Sequence, residues 1–169
     1  MRIRWWIHLT VLFGSLLSSA PTDAQRKDII GRVERVRIYP GDLVLRAKID
    51  TGAKNSSLHA ASLTKFEKNG ETWVRFSVKN HLGEEATIER KVLRVAKLKQ
   101  KGRDTERRPV IMLGICLGRQ YREVEVNLVD RTRFIYPILI GRSFMIGHLV
   151  VDPQLKYTAQ PDCVGAPMP

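Results

Sequence analysis

The sequence predicts an all-β fold, a sandwich or a closed barrel, on three observations. Short apolar runs alternate with polar residues at a period of two, which is typical of strands that bury one face. Turn-forming residues separate these runs, as at residues 39–42 and at Asn69-Gly70. A helix is indicated only for one short segment, residues 142–146.

The individual strands follow from that alternation. Residues 43–49 and residues 123–129 alternate strictly between apolar and polar side chains, so each is expected to bury one face. Asn69-Gly70 is a strong signal for a two-residue hairpin turn. The predicted strands, in chain order, are residues 31–38, 43–49, 65–68, 72–78, 87–98, 109–117, 123–129 and 137–140.

Composition restricts the class of protein. The chain has 169 residues, 43% of them hydrophobic, which fits one domain, alone or with appendages, and excludes wholesale disorder. Two cysteines are too few for a disulfide-rich scaffold or a four-cysteine zinc site. The 29 Lys and Arg residues outnumber the 17 Asp and Glu residues, so the formal net charge is +12. Such a surplus attracts acidic partners.

The N-terminal residues have the pattern of a secretory signal. Arg2 and Arg4 precede an apolar run that ends near Leu17, and small residues follow as far as Ala24. We therefore predict a signal peptide at residues 1–24 and a location in the periplasm or cell envelope of a bacterium. The alternative is an uncleaved anchor, which would be the only attachment of the chain to a membrane.

The rest of the chain is predicted to form one domain, residues 29–157, and a flexible tail, residues 158–169. In an oxidising compartment Cys116 and Cys163 could pair. Cys116 lies in an apolar run, where a buried free thiol is equally natural. The sequence therefore leaves the disulfide open.

Two short motifs carry the chemistry. The first places Asp50 at the end of an apolar strand and follows it with Thr51, Gly52 and Ala53. The second, residues 138–142, is an apolar strand followed by a glycine and an arginine. Each motif alone is common, since turns are often built from such residues. Their combination, in this order in a β-rich chain, is more informative.

Together the two motifs resemble those of the retropepsin-like aspartic proteases. Residues 47–60, AKIDTGAKNSSLHA, are most similar to the branch formerly called ATP-dependent zinc proteases. Residues 107–110 and 152–153 also fit the pattern of that branch, and the likeness covers residues 30–153. It implies a retropepsin-like closed barrel with one short C-terminal helix and a flap hairpin, for which residues 89–111 are the candidate.

The resemblance implies that Asp50 is catalytic. Two carboxylates about 3 Å apart share one proton, as in known aspartic proteases, so one takes a proton from water while the other donates one to the scissile carbonyl. Because the chain has a single Asp-Thr-Gly motif, a two-fold homodimer is expected to supply the second Asp50. Thr51, Gly52 and Ala53 would support the catalytic loop, with the glycine allowing close backbone approach.

Other residues near the motifs admit two interpretations. By resemblance, Gly141 and Arg142 buttress the catalytic loop, whereas an arginine at the surface would give the same pattern. Ser56, Ser57 and His59 either line the substrate cleft or cap the turn after the loop. The sequence does not decide between these interpretations for the two serines and the histidine.

Neither a cofactor nor a metal is expected. His59, His81 and His148 are far apart in the sequence, and zinc usually needs three or four converging ligands. Nucleic acid is not an expected partner either, because the aromatic residues are not interleaved with the basic ones as a stacking platform requires.

The charge pattern suggests an acidic peptide as substrate. The tip of the candidate flap, residues 98–106, and its flanks are strongly basic, and a basic mouth attracts acidic peptides. Charge runs of this kind are also often solvated loops. The basic residues are Lys97, Lys99, Lys101, Arg103, Arg107 and Arg108.

Two functions are compatible with these patterns. The first is an exported aspartic endopeptidase that hydrolyses peptide or protein substrates with a water activated by the shared Asp dyad. The second is a non-catalytic module on the same fold that binds peptide or acidic polymer in the cell envelope. We predict the peptidase, because a binding module has no need to bring like charges together.

Overall fold

The computed structural model describes residues 26–100 and 103–167 of the chain. The predicted signal peptide, residues 1–24, lies outside the described residues. No helix within them is long and apolar enough to cross a membrane. The single helix is α1 (Arg142–Met145). The strands are β1 (Asp28–Gly31), β2 (Val33–Tyr39), β3 (Leu43–Ile49), β4 (Ser56–His59), β5 (Ala61–Lys68), β6 (Glu71–Lys79), β7 (Glu85–Lys91), β8 (Arg94–Gln100), β9 (Arg103–Leu117), β10 (Gln120–Val129), β11 (Ile138–Ile140) and β12 (Leu149–Asp152).

Six of these strands close into a barrel. Their order is β10–β4–β11–β3–β2–β9, and the pairing of β9 with β10 completes the ring. Strand β8 pairs with β9 and forms a hairpin with it. Most neighbouring strands are antiparallel, but β11 runs parallel to β3, and β4 runs parallel to β10. The predicted all-β, retropepsin-like closed barrel with one short helix is confirmed.

Alternating side chains fill the barrel. Leu45 and Ala47 of β3 are fully buried, while Arg46 between them is exposed. Strand β10 repeats this pattern with Val126 and Leu128. Burying a Leu or Val side chain stabilises the fold by about 1.5–3 kcal/mol, so the core holds β3, and the residues that follow it, in one position.

A separate sheet of β5, β6 and β7 packs against the same core. Val74, Phe76 and Val78 of β6 belong to the hydrophobic cluster that fills the barrel. The predicted hairpin turn connects β5 to β6, and Asn69 and Gly70 both have positive φ angles, of 53° and 74°. These angles are the ones that a two-residue hairpin turn requires.

Some strand boundaries differ from the prediction. The predicted strand at residues 87–98 is two strands, because β7 pairs with β6 whereas β8 pairs with β9. The flap hairpin therefore begins at Arg94 rather than at residue 89, and residues 101 and 102 of its tip lie outside the described part of the chain. Strands β1, β4 and β12, of four residues each, were not among the predicted strands.

The segment after β12 is tied to the barrel at two places. Cys116 and Cys163 form a disulfide, with their Cα atoms 5.9 Å apart. The fully buried carboxylate of Glu34 accepts hydrogen bonds from the Gly31 N–H (2.6 Å) and from the Thr158 N–H and hydroxyl (3.1 and 2.6 Å).

Disulfides persist mainly in oxidising compartments, which is compatible with export. The location and the boundaries of the domain and tail stay predictions.

We expect Glu34→Ala to lower the free energy of unfolding by roughly 2–4 kcal/mol, because it leaves buried N–H and hydroxyl donors of Gly31 and Thr158 without an acceptor. Urea denaturation followed by circular dichroism measures the change. The control is Glu85→Ala, at an exposed glutamate of β7 that should change stability by no more than about 0.5 kcal/mol. Equal midpoints for the two variants would contradict the assigned role of Glu34.

Candidate active site

Asp50 lies directly after β3, at the end of a short parallel pair of strands. Ile49 of β3 is opposite Ile140 of β11, and the Asp50 N–H donates to the Ile140 carbonyl at 2.9 Å. Both isoleucines are buried in the core. The apolar strands named in the two motifs are therefore neighbours, and the residues that follow each strand leave the barrel side by side.

The backbone of the loop orients the Asp50 carboxylate. Its Oδ1 accepts hydrogen bonds from the Gly52 N–H at 2.9 Å and the Ala53 N–H at 3.2 Å. Its Oδ2 lies 3.6 Å from Nζ of Lys48, and the Asp50 side chain is 26% exposed. One oxygen is thus committed to the loop, residues 50–53, while the other faces a half-exposed ammonium group. We call these four residues the Asp50 loop.

Arg142 holds the outer side of the Asp50 loop. Its Nη1 donates to the carbonyls of Thr51 and Gly52 at 2.9 and 2.8 Å. Its own N–H donates to the Ala53 carbonyl at 2.9 Å. These three contacts connect α1 to the Asp50 loop, which is the buttress geometry that the resemblance implies for this arginine. Its role in activity stays a prediction.

Gly141 permits this contact. A Cβ atom built on Gly141 would lie 2.6 Å from both C and O of the Asn55 backbone and 3.0 Å from the Lys54 carbonyl oxygen. The Gly141 N–H donates to Oγ of the buried Ser56 at 3.1 Å. The lack of a side chain at position 141 is therefore what lets β11 approach the segment after the Asp50 loop.

Ser56, Ser57 and His59 have separate surroundings. Ser56 binds the Gly141 N–H, whereas Oγ of Ser57 accepts from Nη1 of Arg131 at 2.9 Å. Nδ1 of His59 accepts from the Arg131 N–H at 2.9 Å and lies 3.6 Å from the Asp130 carboxylate. Of the three residues, Ser57 lines the cavity beside the Asp50 loop.

That cavity has a volume of about 460 Å³ and lies between the Asp50 loop and the flap hairpin. Ala53 and the two residues after it form one side, and residues 96–98 of β8 form another. Among the described residues, every ionisable side chain that lines it is basic. We call it the basic cavity, and those side chains are Lys54, Lys97, Arg108 and Arg131.

Arg131 belongs to the candidate site, although no sequence pattern predicted it. It follows β10 by two positions and is only 7% exposed. Burial lowers the pKa of Arg131 below its ordinary value, and repulsion from Arg108 lowers it further, while the charge of Asp50 opposes both effects. The Asp50 loop and the two arginines thus share one electrostatic environment.

No group of three or more His, Cys, Asp or Glu side chains suited to a metal ion occurs in residues 26–100 and 103–167. The expectation that the protein needs neither metal nor cofactor stays a prediction.

A family model described as the retropepsin-like aspartic endopeptidase RimB matches residues 29–162. The chain belongs to this RimB-like family. The resemblance to retropepsin-like aspartic proteases that rested on the two motifs is confirmed by the match. The family suggests an aspartic-type peptidase, which makes the Asp50 loop the candidate active site.

This RimB-like chain is also similar to parts of longer proteins. A probable alpha-L-glutamate ligase of Desulfotalea psychrophila is 32% identical over 135 residues, which is 77% of this chain. A probable alpha-L-glutamate ligase of Shewanella pealeana is 35% identical over 116 residues, 67% of this chain. The chain spans only 29% and 25% of the lengths of these relatives. It matches, in each, one part of a longer protein.

A crystal structure has the same fold. It is of a protein of unknown function (DUF785) from Legionella pneumophila, with a TM-score of 0.68 and 39% sequence identity. The match covers 80% of this chain and all of the Legionella chain.

The predicted function was wrong. The curated relatives are named probable alpha-L-glutamate ligases, which contradicts an exported endopeptidase and equally the alternative of a non-catalytic binding module in the cell envelope. The physical reason is that an Asp-Thr-Gly loop defines local chemistry and carries no information about the reaction of which that chemistry is part.

We expect Gly141→Ala to lower the free energy of unfolding by roughly 1–3 kcal/mol, because the new methyl group collides with backbone atoms of Asn55 that cannot rotate away. Thermal denaturation measures the loss. Ser143→Ala is the matched control, since its buried Oγ has no partner among the described residues and its removal should cost little. A Gly141→Ala protein as stable as Ser143→Ala would show that the contact is not tight.

Proposed function

We propose that this chain is an aspartic-type peptidase domain that hydrolyses peptide bonds of α-linked glutamate residues. The observation that carries the proposal is the position of the Asp50 loop beside a cavity whose ionisable lining residues are all basic in the described part of the chain. The names of the relatives support glutamate as the residue concerned, because those proteins are probable alpha-L-glutamate ligases.

The proposed chemistry uses Oδ2 of Asp50. Oδ1 is held by the N–H groups of Gly52 and Ala53, so Oδ2 is the oxygen left to take a proton from a bound water. The water oxygen then forms a bond to the carbonyl carbon of the substrate, and the π electrons of the C=O bond move to the carbonyl oxygen. As these electrons re-form the C=O bond, the C–N bond breaks and the nitrogen takes the proton from Oδ2 of Asp50. The products are an amine and a carboxylic acid, and Asp50 is again a carboxylate.

Electrostatics favour an acidic substrate in the basic cavity. Four basic side chains face a space bounded by protein, where the interaction between charges is stronger than in open water. A chain of glutamates presents one carboxylate per residue and would enter such a field readily. A peptide without acidic side chains would leave these cations without counter-charges.

The proposed hydrolysis is the reverse of the bond formation that the name of the relatives, glutamate ligase, describes. An enzyme that adds glutamate and a hydrolase that removes it act on the same type of peptide. In the longer relatives the matching part accounts for a quarter to under a third of the protein. We propose that the domain present here works on glutamyl peptides of the kind that a glutamate ligase produces.

The direct test uses Asp50→Asn. We expect the parent protein to release glutamate from a synthetic peptide that ends in four α-linked glutamates, and Asp50→Asn to reduce that rate at least 100-fold, as removal of acid–base catalysis typically does. Mass spectrometry of the products measures the rate. A matched peptide that ends in four glutamines should be cut far more slowly.

The control for folding is the circular dichroism spectrum and melting temperature of Asp50→Asn, which should match those of the parent. If the folded variant cuts the glutamate peptide as fast as the parent, Asp50 is not catalytic. If the parent cuts the glutamine peptide equally well, the preference for glutamate is wrong.

We also propose that two copies of the chain associate through the Asp50 loop. Thr51 and Gly52 are exposed on the single chain, and Ile146, which shares a shallow surface pocket with Thr51, is 69% exposed. The core of a homodimer interface is more apolar than the rest of a protein surface, and an interface at the Asp50 loop would bury Ile146. Two-fold pairing here would bring the two Asp50 loops together.

We expect Ile146→Asp to weaken this dimer and to lower the specific activity, because burying the new carboxylate in the interface is unfavourable. Light scattering after size-exclusion chromatography measures the mass across a dilution series. Leu82→Asp is the control, since Leu82 is 72% exposed in the turn between β6 and β7, far along the chain from the loop. A fully active monomer at nanomolar concentration would reject the dimer.

A further inference from the structure

Arg131 is a buried cation without a carboxylate partner among the described residues. It is 7% exposed, and none of the ion pairs in that part of the chain includes it. Its Nη1 donates to Oγ of Ser57 at 2.9 Å and its Nε donates to the Tyr136 carbonyl at 3.0 Å. The guanidinium carbon of Arg131 lies 4.4 Å from the centroid of the Phe134 ring. Neutral groups therefore hold the side chain, and its charge is left uncompensated by contact.

A second arginine on the wall of the basic cavity adds to this excess of positive charge. Nη2 of Arg108 donates to the Glu106 carboxylate at 2.6 Å, while Nε of Arg108 is buried with no partner among the described residues. The charge of Arg108 acts on Arg131 and opposes its protonated form. Two guanidinium groups thus lie close enough to repel each other, and among the described residues only one carboxylate, that of Glu106, forms an ion pair with either of them.

Such an arrangement is costly in the free protein. A buried charge without a counter-ion destabilises a fold, and two like charges near each other increase that cost. An incoming anion removes both penalties at once. Guanidinium groups bind carboxylates with paired, charge-assisted hydrogen bonds, so a carboxylate is a ligand that suits the site.

The remaining walls of the basic cavity favour a carboxylate carried on a hydrocarbon chain. Ala96 and Leu98 from the flap side, and Leu139 from β11, line the same space as the two arginines. An inorganic anion has nothing to pack against these side chains. The methylene groups of a glutamate side chain do, and their burial adds to the affinity.

We infer that Arg131 and Arg108 form a carboxylate-binding subsite that holds a glutamate side chain of the substrate next to the Asp50 loop. This inference rests on the proposed function for the identity of the peptide, and on the cavity itself for the binding. Ser57 is a positioning residue, because it acts through its hydrogen bond to Arg131. The subsite makes glutamate recognition a property of the barrel wall as well as of the flap.

Binding without turnover tests the subsite. In the Asp50→Asn background, we expect tetra-L-glutamate to bind in isothermal titration calorimetry, and Arg131→Gln and Arg108→Gln each to weaken binding roughly 10-fold or more, the effect of losing a charged hydrogen bond. Arg119→Gln is the matched control, because it removes the same charge from the exposed turn between β9 and β10. Tetra-L-glutamine should bind weakly, and the arginine variants should not change its affinity.

The outcomes separate the subsite from the proposed reaction. Unchanged affinity for tetra-L-glutamate in folded Arg108→Gln and Arg131→Gln overturns the subsite, whether or not Asp50→Asn abolishes cleavage. Weakened binding in both, together with undiminished cleavage by Asp50→Asn, supports the subsite and rejects the reaction. If Arg131→Gln fails to fold, Arg108→Gln decides: a loss equal to that in Arg119→Gln overturns the subsite, and a larger loss supports it.

Discussion

The close approach of Gly141 to the backbone of Asn55 is the constraint on which the candidate site depends. It lets the end of β11 lie against the segment that follows the Asp50 loop, directly after the pairing of β11 with β3 in which the Asp50 N–H donates to the Ile140 carbonyl. It also brings Arg142 within hydrogen-bonding distance of the carbonyls of the Asp50 loop. The absence of a side chain at Gly141 therefore allows the close packing that supports the Asp50 loop, and this loop orients the Asp50 carboxylate.

The negative charge of Asp50 and the positive charges of the basic cavity are held by different kinds of group. On the loop itself, Asp50 is held by backbone N–H groups, which fix its direction without adding a cation in hydrogen-bonding contact. Across the basic cavity, Arg131 is held by neutral groups and Arg108 by one carboxylate. The cavity is thus positively charged, and none of the described residues that line it carries a negative charge. A formal net charge of +12 on the whole chain is consistent with acidic partners. Part of that positive charge is concentrated in the basic cavity, where Arg131 is buried and Arg108 is partly exposed.

The Asp-Thr-Gly motif identifies the reacting group of this protein without identifying its substrate. An Asp-Thr-Gly loop in a retropepsin-like barrel predicts the reacting group, and membership of the RimB-like family agrees with it. The relatives named as probable glutamate ligases overturn the general exported endopeptidase that the motif and the N-terminal segment suggested. Local chemistry and biological reaction are separate questions, because one fold and one catalytic group serve many substrates.

The sequence by itself determined the fold class, the strands with regular alternation, the Asn69-Gly70 turn and the presence of the two motifs, because each of these is a pattern of residues close together in the chain. Only the tertiary structure decided the four-residue strands, the Cys116–Cys163 disulfide and the meeting of Arg131 with Arg108 and Ser57. Those contacts join positions tens of residues apart, and a lone arginine after a strand has no pattern of its own. Arg131 is notable because it is buried without a carboxylate partner among the described residues. Burial and missing partners depend on the three-dimensional surroundings of a residue and cannot be read from its neighbours in the sequence.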